Sequence, residues 1–263
     1  RLNGQACRRR DKVWGGEEVW LEPVVAPDET CQPQDLPLDI VFEDEAILVI
    51  NKPAGLVVHP AAGNPDGTLQ NALLHHAPEL ALVPRGGLVH RLDKDTSGLL
   101  VVARTLQAHK FLVDLLQQRQ VHREYRALVT GVPTGGGHVD APVGRHPRQR
   151  TQMAVVSGGR PAVTHYRLLE AFRGHALLAV RLETGRTHQI RVHMAWLGHP
   201  LVGDSLYGGR PLWGLQRQGL HATRLRLAHP VSGAGLAFTS DPPVDFLAAV
   251  EQAGLHYNGL SPG

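Results

Sequence analysis

The sequence is poor in cysteine and lysine, and it contains no long hydrophobic run. Cys7 and Cys31 are the only cysteines among 263 residues, so they cannot build a metal cluster by themselves and do not indicate an oxidising compartment. No apolar run reaches the roughly 20 residues that a membrane-spanning helix needs. Residues 1–4 show neither a signal-peptide pattern nor an initiator methionine, and we therefore expect the chain to begin inside a longer protein. A cytoplasmic protein without membrane contact is expected.

Lysine is scarce because arginine supplies most of the positive charge. Only four lysines, at positions 12, 52, 94 and 110, occur among 27 basic residues, and the formal net charge is +3. A GC-rich genome explains such a bias on its own, because it also enriches Gly and Ala. Alternatively, arginine provides planar, bidentate contacts with phosphates and stacks on bases. Composition leaves both explanations open.

Three stretches of the chain differ in character. Residues 1–22 contain short strand-like runs, turn signals at Asn3-Gly4 and Gly15-Gly16, and a run of three arginines at positions 8–10. This piece is too small to fold alone. Residues 23–37 hold four prolines among acidic and polar residues, which predicts a stiff linker. No second linker follows, so residues 38–263 are predicted to form one continuous domain.

Hydrophobic periodicity in this domain predicts many strands and few helices. Helices are expected at 68–74, at 106–116 and at 187–197, the last with Thr187 as its N-cap and Gly198 as its C-terminal stop. Helices punctuate the strands irregularly, which favours an α+β fold over a repeating βαβ sheet. Strands are predicted at 40–43, 47–50, 99–103, 125–129, 165–169, 177–182, 224–227 and 236–239.

The loop at 87–98 carries more charge than a plain turn needs. Asp93 lies there between Arg91 and the run Lys94-Asp95, and predicted buried strands flank the loop closely. A structural explanation is an Asx turn, in which one aspartate holds backbone amides. Taken alone, the loop favours that explanation.

The segment TGRTHQIRVH at 184–193 places a cation where a helix begins. Arg186 at a helix N-terminus is electrostatically unfavourable unless an anion lies opposite. Asp93 is the candidate partner, and an RNA phosphate is the rival. His188 and His193 are five residues apart, about 140° around a helix, whereas a chelating pair is spaced by four. We therefore predict an Arg186–Asp93 ion pair and no metal site.

Two further segments have both a structural and a functional interpretation. Tyr125 lies in an alternating strand among charged neighbours, so it is either a half-buried strand tyrosine or a platform on which a base stacks. A short basic loop follows at 145–150. Its arginines, Arg145, Arg148 and Arg150, suit contact with phosphates, and an ordinary solvated loop explains them equally.

Together these segments resemble the RluA family of RNA pseudouridine synthases. The resemblance rests on motifs that agree in order and spacing and cover nearly the whole chain from residue 38. Further stretches narrow it to the type that modifies large-subunit ribosomal RNA: RHP at 145–147, RPAVTHY at 160–166 and HPLVGD at 199–204. The family motifs are NKPAGL at 51–56, HRLD at 90–93 with TSG at 96–98, REY at 123–125, and TGRTHQIR at 184–191.

The resemblance implies a fold as well as an activity. It implies the pseudouridine synthase fold, with a central, mostly antiparallel or mixed sheet flanked by helices and loops. Residues 1–22 are similar to the C-terminal part of an S4-like RNA-binding domain. A monomer is expected that isomerises uridine to pseudouridine in 23S ribosomal RNA, in the helix 69 stem-loop. No metal, nucleotide or other cofactor is expected, because the bonds broken and made are of similar kind.

The resemblance also assigns roles to individual residues. Asp93 is implied as the catalytic aspartate, with Arg186 as its ionic partner and Tyr125 stacked on the flipped base. Arg91 is implied to fill the space that the flipped nucleotide leaves. Ile190 is implied as an apolar wall of the uracil pocket. Substrate contacts are also expected at His90, Arg145, Arg148 and Arg150.

Three alternatives remain beside this assignment. The enzyme acts on transfer RNA or on another ribosomal site, or the chain is a non-catalytic RNA-binding assembly factor. A glycoside hydrolase is the third, but such enzymes usually need two facing carboxylates. No second acidic motif accompanies Asp93 and its neighbour Asp95, which argues against it.

Overall fold

One mixed sheet forms the centre of the computed structural model, which describes residues 2–5, 7, 12–18, 20, 31–61 and 63–257. Nine strands pair in the order β1-β2-β3-β10-β4-β9-β8-β5, with β11 added to β10, while β6 and β7 form a separate hairpin. Among the strands of the described residues, only β3 and β10 pair in parallel. The strands are β1 Ile40–Glu43, β2 Ile47–Lys52, β3 Ser97–Ala103, β4 His122–Thr130, β5 Gly137–Asp140, β6 Val143–Arg145, β7 Met153–Val155, β8 Val163–Phe172, β9 His175–Leu182, β10 Leu220–Ala228 and β11 Gly235–Thr239.

Four α-helices accompany the sheet: α1 Leu69–His76, α2 Leu106–Gln117, α3 Gln189–Trp196 and α4 Val244–Gln252. None of them, within the described parts of the chain, is both long enough and apolar enough to span a bilayer. The α+β class and the central mixed sheet predicted from the sequence are confirmed. All eight predicted strands are present, although β5, β6, β7 and α4 were not predicted.

Strands β2 and β3 are buried on both faces, which explains their continuous apolar sequences. Alternate side chains point to opposite sides of a strand. Leu48 and Leu100 accordingly lie in the core on one side with α1, whereas Ile47 and Leu99 lie in a second core with α2.

Helix α1 connects the segment before the sheet to the main domain. Thr68 caps the helix, and it forms a capping box with Asn71. The side-chain amide of Asn71 donates to the main-chain oxygen of Gln32 at 2.6 Å. The main-chain oxygen of Asn71 accepts from Gln34 N at 3.0 Å. Cys31 is buried in the core on the same side. The described part of the predicted linker, residues 31–37, therefore contacts the domain.

Both glycine turns predicted in the N-terminal piece are present. Asn3 and Gly4 have positive φ and close a bridge between Leu2 and Gln5, and Gly15 and Gly16 also have positive φ. The arginine run at 8–10 and residues 21–30 lie outside the described residues.

The N-cap of helix α3 lies one residue later than predicted. His188, not Thr187, is the residue before its first turn; it is left-handed (φ 55°), and its side chain caps no amide. The Gln189 side chain accepts from Arg186 N at 2.9 Å and so holds the turn that precedes the helix. Gly198 follows the helix with φ 83°, so the predicted C-terminal stop is confirmed.

Gly87 allows the chain to pass close beneath β3 before it enters the charged loop. A Cβ atom at Gly87 (φ 79°) would lie 2.0 Å from the carbonyl oxygen of Ala103. Gly174 has nearly the same φ, 78°, in the turn between β8 and β9, and a Cβ there meets nothing within 4 Å. The two glycines differ in the space around them and not in backbone conformation.

We expect Gly87→Ala to destabilise the protein more than Gly174→Ala. Both substitutions place alanine in a left-handed conformation, at about 1–3 kcal/mol. Gly87→Ala should cost at least about 2 kcal/mol more, because the backbone of β3 must move. Urea unfolding of both variants measures the difference, and equal losses would show that the close approach is not needed.

Candidate active site

One cleft contains six of the nine predicted site residues. The cleft has a volume of about 690 Å³, within the usual range of about 300–1,000 Å³ for ligand sites. The loop before β3, strand β4 and the start of α3 form its walls. The six residues that line it are His90, Arg91, Asp93, Tyr125, Arg186 and Ile190. The other three, Arg145, Arg148 and Arg150, are exposed around the β6–β7 turn and do not line it.

The side chain of Lys52 anchors the loop that carries Asp93. Its side chain is fully buried, and its Nζ donates to the main-chain oxygens of Pro53, Leu56 and Lys94 at 2.7, 2.9 and 2.8 Å. Burial lowers the pKa of Lys52 to about 7, against the opposing effect of the carboxylates of Asp95 and Asp93. The lysine of the NKPAGL motif is therefore an anchor for the charged loop.

Strand β10 and the segment before it hold the same loop from the other side. Arg217 donates to the carbonyl of Asp95 at 3.0 Å, and Gln218 donates to the Thr96 hydroxyl at 3.2 Å. Gly98 (φ 111°) passes so near β10 that a Cβ would lie 2.2 Å from the Ala222 oxygen. These contacts fix the loop while leaving the Asp93 carboxylate uncommitted.

The Asx-turn explanation of the loop is wrong. The amide of Thr96 donates to the main-chain oxygen of Asp93 at 3.1 Å, not to its side chain. Within the described residues, the Asp93 carboxylate accepts a hydrogen bond only from Arg191, whose Nη1 is 3.2 Å from Oδ2. A carboxylate that is free of the turn amides remains available to a ligand.

The predicted Arg186–Asp93 ion pair is also wrong. Arg186 Nε donates to the carbonyl of Pro161 at 3.0 Å, and Arg191 is the partner of Asp93. The reason is the later start of α3: Arg186 lies in the turn before the left-handed His188, whereas Arg191 lies in the first turn of the helix. His188, just before the helix, and Arg191, in its first turn, both lie beside Asp93.

Arg191 is itself held by a second carboxylate. Its Nε and Nη2 donate to the two oxygens of Asp204 at 2.7 and 2.9 Å, and its Cζ lies 4.9 Å from the centre of the Tyr207 ring. Burial opposes the charge of Arg191, but Asp204 and Asp93 prevail and raise its pKa above the usual value. A bidentate pair fixes the guanidinium in one orientation towards Asp93.

His188 completes the surroundings of Asp93. Its Nε2 lies 3.9 Å from Asp93 Oδ1, and its Nδ1 lies 2.7 Å from the Tyr207 hydroxyl, which accepts from Met153 N at 2.9 Å. This geometry fits a Tyr207 hydroxyl that donates to Nδ1, with the imidazole hydrogen on Nε2. His193 is elsewhere, bonded to Thr164 and Ala141. No cluster of metal-ligating side chains occurs in the described ranges.

Tyr125 and Ile190 give the cleft a buried floor. Both side chains are 4% exposed. Burial raises the pKa of Tyr125, Arg123 opposes the rise and Asp93 adds to it, so the phenol is neutral near pH 7. Burial also lowers the pKa of His90 to about 3, while its Nε2 accepts from Val101 N at 3.2 Å.

Sequence reasoning missed five residues around Asp93: Lys52, His188, Arg191, Asp204 and Tyr207. Arg191 and His188 lie in the motif already singled out, but helical spacing does not connect them, because the left-handed His188 lies outside the helix. Asp204 is the last residue of the HPLVGD run, and a single aspartate after Gly203 matches no pattern that indicates a site residue. No local signal connects it to Arg191, because tertiary folding alone joins them.

Comparisons with known proteins agree with this geometry. The family model for RNA pseudouridylate synthase matches residues 46–196. Ribosomal large subunit pseudouridine synthase D of Escherichia coli (strain K12) is 54% identical over 264 residues, covering 95% of this chain and 81% of that protein. The protein of the same name from Haemophilus ducreyi is 51% identical, covering 95% and 82%.

Solved structures of human proteins share the fold. Human RNA Pseudouridylate Synthase Domain Containing 4 superposes with a TM-score of 0.67 at 26% identity, covering 84% of this chain and 94% of that one. Human RNA Pseudouridylate Synthase Domain Containing 1 gives 0.61 at 29% identity, covering 79% and 84%.

His221, which pairs with the end of the charged loop, should make stability depend on acid pH. Ser97 and the Ser240 carbonyl bond its two ring nitrogens at 2.9 and 3.0 Å, and burial lowers its pKa to about 4. Between pH 6.5 and 4 the unfolded chain binds a proton that the folded chain refuses. Stability is therefore lost as pH falls through this window, by up to about 1.4 kcal/mol per unit.

We expect the free energy of unfolding of His221→Gln to depend less steeply on acid pH, by the contribution of about one bound proton. Urea unfolding at pH 4.5, 5.5, 6.5 and 7.5 gives the slope for each protein. The exposed His122→Gln on β4 is the matched control and should keep the wild-type slope. An unchanged slope in His221→Gln would contradict the assignment.

Proposed function

Because the chain belongs to the RNA pseudouridylate synthase family, it isomerises uridine to pseudouridine in RNA, and we propose that Asp93 is its catalytic group and large-subunit (23S) ribosomal RNA its substrate. The observation that carries the catalytic assignment is the Asp93 carboxylate, which lies in the cleft, is free of backbone bonds and is held by Arg191. Its side chain is 15% exposed. A ligand in the cleft can therefore reach it.

The reaction breaks the bond between C1′ and N1 of uridine and forms a bond between C1′ and C5. The proton on C5 leaves and N1 gains one, so atoms and charge balance without an oxidant or a cofactor. Asp93 serves by attacking C1′ or C6, or by removing the C2′ proton. Each route needs an ionised carboxylate, and the guanidinium of Arg191 lies 3.2 Å from it.

Three other cleft residues have roles in extruding the base. C1′ and C5 cannot be reached inside a stacked helix, so the nucleotide must flip out. Arg91 is exposed at the cleft and fills the space that the nucleotide leaves, with His90 beside it. Tyr125 stacks on the flipped uracil, which Ile190 contacts as an apolar wall.

The charge of the cleft suits a polyanion. Seven arginines line it against two carboxylates, Asp93 and Glu183, and each carboxylate already pairs with an arginine, Arg191 or Arg119. Arg186, turned to Pro161, takes a phosphate contact at the cleft in place of its predicted pairing. Phosphates supply most of the affinity of such surfaces, without reading sequence.

The acidic groups argue against a glycoside hydrolase, which usually requires two facing carboxylates. Asp204 is 1% exposed and fully engaged by Arg191. Glu183 pairs with Arg119 and His165. Neither is a free partner for Asp93 across a substrate.

For the substrate we propose the helix 69 stem-loop. Relatives more than 50% identical bear the name ribosomal large subunit pseudouridine synthase D, and uridines in a hairpin loop unstack cheaply. Outside the cleft, Arg145, Arg148 and Arg150 contact phosphates of the flanking stem. The enzyme works as a cytoplasmic monomer, and residues 1–22 are the end of an S4-like RNA-binding domain joined by a linker at 23–37.

We expect Asp93→Asn to abolish pseudouridine formation while RNA binding and folding persist. The amide is nearly isosteric but neither ionises nor attacks. Asp95→Asn, two residues along the same loop and outside the cleft lining, is the matched control and should retain most of the activity. Release of tritium from RNA that carries uridine tritiated at C5 measures turnover, and substantial turnover by Asp93→Asn would remove it from the catalytic role.

The substrate proposal predicts modification of 23S ribosomal RNA and little of transfer RNA. Neutralising Arg145, Arg148 and Arg150 together by Gln should weaken binding and flatten its salt dependence. Each arginine–phosphate pair removed should reduce the slope of log K against log salt by about 0.7–0.9. Pseudouridine mapping and salt titrations measure both. Efficient modification of transfer RNA with ribosomal RNA untouched would overturn the substrate but not the reaction.

A further inference from the structure

Arg123 is a buried cation without a partner in the cleft. Its side chain is only 7% exposed, yet in the described chain no hydrogen bond or ion pair reaches its guanidinium. Its Nε is sealed from solvent and unpaired, and the residue lines the cleft beside Tyr125 and Gly185. Buried arginines are almost always paired, since an uncompensated buried charge is costly.

Every carboxylate near Arg123 is already engaged. Glu124 pairs with Arg126, and Glu183 pairs with Arg119. Burial lowers the pKa of Arg123 and only Tyr125 raises it, so no carboxylate compensates the charge. Arginine nevertheless stays protonated in proteins, and the charge is present in the free enzyme.

A second buried donor without a partner lies on the same side of the cleft. His90 accepts from Val101 N through Nε2, so its hydrogen is on Nδ1, which has no acceptor. Arg123 is close enough to lower the pKa of His90. These two nitrogens are the only buried side-chain atoms without partners in the described ranges, and both are donors.

We propose that Arg123 forms a buried phosphate subsite, which binds one phosphodiester next to the flipped uridine. Resting on the RNA substrate proposed above, this inference identifies which backbone group enters the cleft. A planar guanidinium matches two phosphate oxygens. The phosphate also supplies the missing negative charge, which a neutral uracil carbonyl cannot do. The rim arginines Arg85, Arg91 and Arg160 are exposed and need no such partner.

The proposed subsite leads to two expectations for Arg123→Met, one for RNA binding and one for the stability of the free enzyme. RNA binding should weaken about 10- to 100-fold, the loss of a charged hydrogen bond. Stability of the free enzyme should not fall, because an apolar side chain replaces an uncompensated charge. Arg191→Met is the contrast, since it leaves Asp204 buried and unpaired, and should lower the urea midpoint. A lower midpoint for Arg123→Met would overturn the inference by itself.

Neutral backbone linkages locate the phosphate. A 23S stem-loop is prepared with one methylphosphonate at a time around the target uridine, and the Kd of each RNA is measured. One linkage should weaken binding to the wild type about 10- to 100-fold and leave binding to Arg123→Met unchanged. Arg123→Lys, which keeps the charge without the fork, should bind with intermediate affinity.

Two results would contradict the subsite. The first is that every linkage affects the wild type and Arg123→Met equally. The second is that Arg123→Met lowers kcat with Kd unchanged, which would make Arg123 a residue that acts through Tyr125. Failure of the wild type to modify the unaltered stem-loop would instead contradict the substrate, and the unfolding comparison still decides the case of Arg123.

Discussion

The site depends on one buried ion pair, the bidentate contact between Arg191 and Asp204. Asp204 is almost completely buried, so its charge persists only because the guanidinium fork satisfies both oxygens. The same fork has one remaining nitrogen, and it points to Asp93. Asp204, and not the catalytic Asp93, therefore fixes the orientation of this cation. Asp204 fixes the position of Arg191, and the Tyr207 ring packs against the face of its guanidinium.

Rigidity on the opposite side comes from main-chain contacts. The ammonium of Lys52 uses its three protons on three carbonyls, while Arg217 and Gln218 hold the loop from β10. The charged loop contains two acids and a lysine within three residues, a composition that favours solvation. Anchoring it through the backbone leaves the side chains free to face the cleft. Through these contacts, the sheet fixes the position of a catalytic group that lies on a loop.

Local sequence patterns predicted what local physics decides. The Gly198 stop and the strands of alternating or continuous apolar residues depend on neighbours in the chain, and they were confirmed. The predicted cap of α3 was wrong because a left-handed His188, and not Thr187, precedes the helix. Arg191, inside the helix, pairs with Asp93 in place of Arg186. Asp204 and Arg123 could not be assigned, since only tertiary structure shows which charge has a partner.

The charges of the cleft then explain why the enzyme carries an unfavourable feature. Asp93 and Glu183 have arginine partners and the rim arginines are exposed, whereas the guanidinium of Arg123, within the described chain, is largely buried and has no anionic partner. Burial of this one cation reduces the stability of the free enzyme, and a phosphodiester removes the deficit on binding. Differential affinity of this kind can draw the backbone inwards and present the flipped base to Asp93, because interactions made only in the bound state drive a conformational change. The same imbalance excludes ligands without negative charge, which leave the guanidinium unpaired.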